Sequence, residues 1–462
     1  MSWPDHWWNC SVTSEELLSI ADSLVAEAVG SEQVEVVVEH SRETEVRVYE
    51  GAVEAFTSAT SLGAGIRVVD GPRQGFAYCG TLDPIALRET LAEARDNSSF
   101  ATPDEHAGLA HPDQVAPPHL SLYQEAIERT SPRAKIDLLI ELERILLSKD
   151  ARIVGTESVD YSDSIDTSVV VSTTGIRSSI HSSSCGIALY SLAEDGPDVT
   201  TGFGFDLARK LEDLDIERVA SQAADRALQQ LGASRTQSRR CTVVFDPWVS
   251  AQFLSIIGSC FSGTEIARGR SFLADRMSEA VAYSGLTLFD DPTDQRWFGA
   301  VPFDGEGLAT RRNALLTDGV LTSYLLDSWS ARAMNTVSNA SAVRGGIHST
   351  PGAGPQSLVI EPGQQSAEQI IAGVDDGLLI TEVQGLHSGV NSVSGDFSAG
   401  IEGRAIRSGK LCEPIKEVTI ASTLQRMLAD ITAIGSDLTT VPIDAVGVTM
   451  AIGDVMVSGD SA

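Results

Sequence analysis

Much of the common enzyme chemistry is excluded by what this sequence does not contain. It has no HExxH or HExxxH, so no helix presents two imidazoles on one face for zinc. It has no GxxxxGK[ST] loop to cradle phosphates and no GxSxG nucleophile elbow. None of its eight histidines falls between residues 182 and 347. Basic residues are scarce: 33 Lys and Arg stand against 64 Asp and Glu, for a net charge of −31. A phosphate backbone demands clustered positive charge, so nucleic acid is not an expected partner. The acidity reads as a solvated surface, with an acidic regulatory face as the alternative. No apolar run reaches the roughly 18 residues a membrane helix needs, so no membrane association is expected. The opening MSWPDHWWNC lacks the basic start and apolar core of a secretory signal, which predicts a cytoplasmic protein. Cysteine is sparse too. Cys10, Cys79, Cys185, Cys241, Cys260 and Cys412 are dispersed, with no CxxC pair. That argues against a disulfide framework or a four-cysteine zinc site and predicts buried free thiols.

What is present suffices for two or three domains at roughly 150 residues each. Thr13 to Gly30 reads as a helix with a Thr13/Glu16 capping box and an apolar stripe of Leu17, Leu18, Ala21 and Leu24. Strand patterns follow at 33–40, 44–50, 63–70 and 75–79, with a hairpin turn at Asp70–Arg73. Asp83-Pro84 opens a second helix to about residue 95. The polar stretch 97–130 reads as a connector. Its His106, His111 and His119 fit no compact metal-ligand spacing. A third helix covers 131–149, antiparallel strands 153–204, and a fourth helix 215–231. These boundaries predict an N-terminal α/β domain over 1–235 and a mainly-β domain over 236–462, an α+β protein with antiparallel strands. Within the second domain, helices are expected at 247–261, 366–375 and 420–432, and an Asp318-Gly319 hairpin at 315–321. The GxG at Gly63–Gly65 has no helix behind it, so it reads as a strand bulge rather than a dinucleotide site.

Two constellations carry possible chemistry. The stretch 385–403, GLHSGVNSVSGDFSAGIEG, concentrates glycine and serine around His387, Asn391 and Asp396. Glycine allows close backbone approach, and short polar side chains serve either turns or a bound partner. His387, Asn391 and Asp396 are therefore either turn residues, with His387 capping a carbonyl, or acid/base groups. Asp290, Asp291, Asp294, Asp304 and Glu306 form an acidic grouping. It suits a hard cation in principle, but its irregular spacing favours a solvated loop.

The same stretch resembles the signature loop of the TldD/PmbA family (the modulator of DNA gyrase family), on its PmbA/TldE side. LGAGIRVVDGPRQGFAYCGTLD at 62–83, VVFDP at 243–247, FDGEGLATRRNALLTDGVLTSYLLDSWSARAM at 303–334 and GSDL at 435–438 are similar to family blocks in the same order. The resemblance implies a two-domain fold and a cytoplasmic heterodimeric peptidase. In it, a TldD-type subunit holds zinc on an HExxxH helix, with a further cysteine near its C-terminus. This chain departs from that pattern. After VVFDP it reads WVSAQFLSIIGSCFSG, and no cysteine follows Gly435. The resemblance therefore implies a pseudo-enzyme subunit with no cofactor of its own and zinc on a presumed TldD-type partner. An extended peptide would be the substrate, with Gly385, His387, Ser388, Asn391, Ser394, Gly395 and Asp396 lining its channel. Two alternatives remain. One is a metal-free hydrolase using His387 and Asp396. The other is an acidic interaction protein with no peptidase role.

Overall fold

The computed structural model describes residues 12–460; Cys10 and the N-terminal decapeptide lie outside them. The first half is built on one antiparallel sheet. Its strands are β1 (Gln33–Tyr49), β2 (Ala52–Asp70), β3 (Arg73–Cys79), β4 (Ile153–Ser172), β5 (Arg177–Asp195) and β6 (Asp198–Ala208), in the order β3-β2-β1-β4-β5-β6. One face is apolar by alternation: Val34, Val36 and Val38 at one end of β1, Val46 and Val48 at the other. Helices α1 (Ser14–Val25) and α2 (Pro84–Phe100) cover the first end. After a short α3 (Glu125–Arg129), α4 (Pro132–Leu147) and α5 (Ile216–Gln230) cover the second. The capping box of α1 forms as its sequence predicts, and Asp83 caps α2.

The second half is organised around a different sheet. Strand β7 (Arg239–Phe245) is followed by α6 (Pro247–Cys260) and α7 (Gly263–Ala267). A small sheet joins β8 (Leu288–Asp290), β9 (Asn313–Thr317), β10 (Val320–Leu321) and, after α8 (Ser328–Ala333) and the pair β11 (Ala342–Val343) and β12 (Gly352–Ala353), β13 (Leu358–Ile360). Next come α9 (Ala367–Ala372), β14 (Asp376–Gln384), α10 (Leu386–Gly389), β15 (Asp396–Arg407), β16 (Lys410–Thr423), α11 (Leu424–Ala429), β17 (Ile431–Ile434) and β18 (Met450–Ser458). The order β16-β15-β14-β7-β18-β17, with an additional β16–β18 pairing, rolls this sheet into a barrel. Only β14–β7 is parallel among its pairings. Phe253, Leu254 and Ile257 of α6 join the barrel's apolar side chains in the largest core. The fold is thus α+β with predominantly antiparallel strands. No helix among the described residues is long and apolar enough to cross a membrane.

Several expectations need correcting. The segments at 33–40 and 44–50 are one strand, because residues 41–43 pair with both β2 and β4. Residues 97–100 extend α2 rather than opening the connector, and Asn97 donates to the Phe76 carbonyl. The helix expected at 420–432 shrinks to α11. Residues 420–421 are held in β16 by pairing with β15 on one side and β18 on the other, and this overrides local propensity. No bulge occurs at Gly63–Gly65, where the β1–β2 register runs unbroken. Instead, a Cβ on Gly65 would lie 2.6 Å from the Ile347 carbonyl oxygen, so the glycines admit the turn at 346–348. The Asp318-Gly319 hairpin forms as expected, with φ of +49° and +76°. Of the cysteines, Cys185, Cys241 and Cys260 are buried free thiols; Cys79 and Cys412 are free but only partly buried.

Candidate functional site

The loop 385–395 connects two neighbouring barrel strands, β14 and β15. Leu386 and Val390 seat it on the barrel core. Asn391 Oδ1 accepts from the N–H groups of Val393 (2.9 Å) and Ser394 (3.1 Å), an Asx turn. Ser394 Oγ donates to Asp396 Oδ2 at 2.7 Å and accepts from the Asp396 N–H. Gly395 is buried at φ +83°, and a Cβ there would meet Gln425 at 2.0 Å, so this position requires glycine. Gln425 Nε2 and the Leu424 N–H tie the loop to α11 through the carbonyls of Ser394 and Gly395. Ser388 Oγ turns back to the Gly385 carbonyl at 3.3 Å.

Asn391, Ser394 and Asp396 are thereby committed to one another and to the backbone. His387 is exposed and, among the described residues, makes no side-chain hydrogen bond or ion pair; it does not cap a carbonyl. Asp396 is exposed as well, and nothing joins it to His387. A general base must reach the group it serves. No nucleophile–base pair is assembled here.

The acidic grouping at 290–306 is neither a solvated loop nor a cation cage. Asp290, Asp304 and Glu306 are buried. Asp290 Oδ1 accepts from the Gln356 and Ser357 N–H groups. Asp304 accepts from the N–H groups of Glu306, Leu308 and Ala342, while burial and the neighbouring Glu306 push its carboxyl upward. Asp291 and Asp294 serve Thr293 and Arg296 instead. No three His, Cys, Asp or Glu side chains converge on a metal position among the described residues.

Glu306 belongs to a charge network that the sequence reading missed. Arg67 Nη2 lies 2.6 Å from Glu35 Oε2 and 3.6 Å from Glu306 Oε1, and Arg344 Nη2 lies 2.5 Å from Glu35 Oε1. All four side chains are almost fully buried. Burial opposes the Glu35 carboxylate, yet the two guanidiniums hold it below its ordinary range. The network welds the first sheet to the second half. The available signal was Glu35 between valines and Arg67 between Ile66 and Val68, charges in otherwise apolar strands. The connector is pinned to the second half in the same way. Trp329 Nε1 donates to Asp104 Oδ2 at 2.7 Å, and Arg332 donates to the carbonyls of His106 and Gly108.

Helix α6 follows VVFDP, where the resemblance leads one to expect a zinc helix. Asp246 caps it by accepting from the Val249 N–H at 2.8 Å. Its residues include no His, Asp or Glu. Cys260, at its end, is buried, which pushes the thiol up to about 11, and its Sγ–H points at the Ile256 carbonyl. A protonated thiol without imidazoles does not fit zinc.

Family models for the PmbA/TldA metallopeptidase match residues 34–98 (domain 1), 125–231 (central domain) and 238–459 (C-terminal domain). The chain is 29% identical to metalloprotease PmbA of Escherichia coli O157:H7 over 429 residues, covering 92% of each. It is 25% identical to a metalloprotease TldD homolog of Buchnera aphidicola subsp. Acyrthosiphon pisum over 390 residues, 81% of this chain and 79% of that protein. The fold matches the crystal structure of TldE from Thermococcus kodakarensis with a TM-score of 0.86 at 22% identity, over 96% of this chain and 99% of that one. The three models together span most of the chain, which belongs to the PmbA/TldA metallopeptidase (TldD/PmbA) family.

Proposed function

We propose that this chain is the PmbA/TldE-type subunit of a two-chain peptidase, and that the zinc and the bond-breaking chemistry reside on a TldD-type partner. The observation that carries this reading is α6, a helix of a metallopeptidase family without a single imidazole or carboxylate. No step through a metal is assigned to this chain. Its part is to bind and orient. An extended peptide pairs through its backbone with exposed strand and loop edges, largely without regard to sequence. The loop 385–395 offers such a wall. His387 and Ser388 face solvent, and the hydrogen bonds among Asn391, Ser394 and Asp396 hold the wall in one shape. A rigid wall reduces the ordering cost of capturing a peptide. Unfolded segments are the expected substrates, in the cytoplasm, with no nucleic acid or membrane involved.

The test is co-purification with a TldD-type chain from the same cell, followed by cleavage of an unstructured peptide by each chain alone and by the mixture. Cleavage by the mixture alone, abolished by chelator, is the expected result. Cleavage by this chain alone in chelator would overturn it and make His387 and Asp396 the first residues to replace. A stable pair that cleaves nothing would favour the acidic interaction protein.

A further inference from the structure

A second feature, beside the start of the loop at Gln384, has no role in capturing the peptide as proposed above. Between the first sheet and the barrel lies a cavity of about 400 Å³. Its apolar wall is aromatic: Tyr190 of β5, Phe203 and Phe205 of β6, and Trp248 of α6. Phe203 and Phe205 lie near parallel with centroids 6.3 Å apart, and Trp248 stands 5.3 Å and 5.2 Å from them. The opposite wall is acidic. Glu382 and Glu402 are directly opposed on β14 and β15, a like-charge cross-strand pair of the kind that destabilises a sheet. Asp246 lies close enough to raise Glu382 further.

The charge here is not balanced from within. Arg226 also lines the cavity, but it is already engaged. Its guanidinium sits 3.8 Å over the Phe203 ring, donates to the Phe203 carbonyl at 3.0 Å, and lies 3.6 Å from Asp246 Oδ2. Lys416, which acts on Glu402, is drawn towards Asp198 at 3.4 Å. Burial, opposed by Arg226 and reinforced by Asp246 and Glu402, pushes Glu382 up to about 7. Two polar atoms of the lining are buried without a partner among the described residues: the Trp248 indole N–H and Gln230 Oε1. Both atoms are fully enclosed by protein, so neither is offered to a ligand in the cavity.

We propose that this cavity binds an organic cation, namely the guanidinium or ammonium side chain of a basic amino-acid residue. A flat or alkylated cation is attracted to aromatic faces. The Glu382–Glu402 pair supplies the counter-charge. The volume is at the lower end for a small-ligand site, roughly 300–1,000 Å³, and fits one side chain with its main-chain atoms. A hard metal ion would want an oxygen cage rather than an aromatic wall. The assignment does not depend on the peptidase reading, since it concerns binding alone.

The experiment is calorimetric titration of the full chain with Nα-acetyl-arginine amide and with its neutral isostere Nα-acetyl-citrulline amide. Saturable binding of the arginine compound, roughly tenfold or more tighter than citrulline, is expected. Equal binding of the two, or no saturable heat from either, overturns the proposal without reference to any variant. In the double variant E382Q/E402Q the affinity for the arginine compound should fall by about tenfold. That variant relieves a repulsive pair, so its melting temperature should not fall; unchanged affinity in a normally melting variant also overturns the site. Spermidine separates the sources. Weaker binding than the arginine amide supports a peptide-borne residue. Equally tight binding overturns the assignment to a basic amino-acid residue.

Discussion

The molecule buries acidic side chains in two places, and the two are built on opposite terms. In the network at the junction, Glu35 and Glu306 meet Arg67 and Arg344, both almost fully buried and within reach of a carboxylate. At the aromatic-walled cavity, Glu382 and the nearby Asp246 share one arginine that is already stacked and hydrogen-bonded, and Glu402 has, among the described residues, only Lys416, drawn towards Asp198. Burial alone raises a carboxyl pKa, and a well-placed cation reverses the shift. Glu35 ends below its ordinary range and Glu382 above it. Glu35, the more deeply buried of the two, is the one held as an ion, while Glu306, which among the described residues pairs only with Arg67, at 3.6 Å, is pushed above its ordinary range as Glu382 is. The supply of guanidinium therefore outweighs depth.

That contrast can be broken from either side. The largest effect is expected from Arg67→Met. It removes a cation that Glu35 and Glu306 share and leaves buried charge uncompensated, at a cost of about 3–5 kcal/mol in denaturant unfolding. A loss below about 1 kcal/mol would mean that Arg344 alone neutralises Glu35. Next, Gly65→Ala should cost about 1–3 kcal/mol, because the added Cβ meets the Ile347 carbonyl oxygen at 2.6 Å and pushes the 346–348 turn, beside Arg344, off the sheet.

The opposite sign is expected in the cavity. Glu382→Gln should raise stability at pH 8 by about 1 kcal/mol, discounted for its partial exposure. Glu382 and Asp246 titrate near 7 and 6 when folded, above their ordinary 4.5 and 3.8. The folded chain therefore holds extra protons between these values. Stability contributed by these two groups is full below pH 4 and is lost as the pH rises towards 7. Urea midpoints across that window should fall in the parent and fall less in the variant. Asn391→Ala should cost about 0.5–1 kcal/mol, since its Asx turn is exposed. The smallest change, under about 0.5 kcal/mol, is expected for Asp137→Ala, whose i,i+4 pair with Arg133 is solvent-screened.

Local signals in the sequence were legible where local physics decides the outcome. The Thr13/Glu16 box, the Asp83-Pro84 start and the Asp318-Gly319 turn each formed as read, because a cap or turn involves only neighbours. Failures came where a distant segment intervenes. Residues 420–421 carry a helix-compatible pattern but are claimed by two strands. The acidic residues 290–306 looked solvated because their cover comes from elements remote in the chain: Arg67, the backbone at 342 and the turn at 356–357. At 385–396 the glycine and serine content correctly marked tight turns. It could not show that His387 would stand apart from Asp396. The cavity was invisible for the same reason, since its aromatic wall and its acids lie more than a hundred residues apart and no short window contains both.

The junction network also sets an order on how the chain can come together during synthesis. Glu35 and Arg67 emerge early and can pair as soon as β1 and β2 zip up. Arg344, which completes Glu35, follows 309 positions later than that glutamate. Until then one face of the first sheet, including Val37 and Val170, has only Ala110 and Ile176 of its apolar cluster beside it, because Leu308, Ala340 and Ile347 are not yet made. A nascent chain stopped short of residue 344 therefore presents a sticky, half-neutralised surface to whatever is nearby, the condition in which chaperones are recruited and misassembly begins.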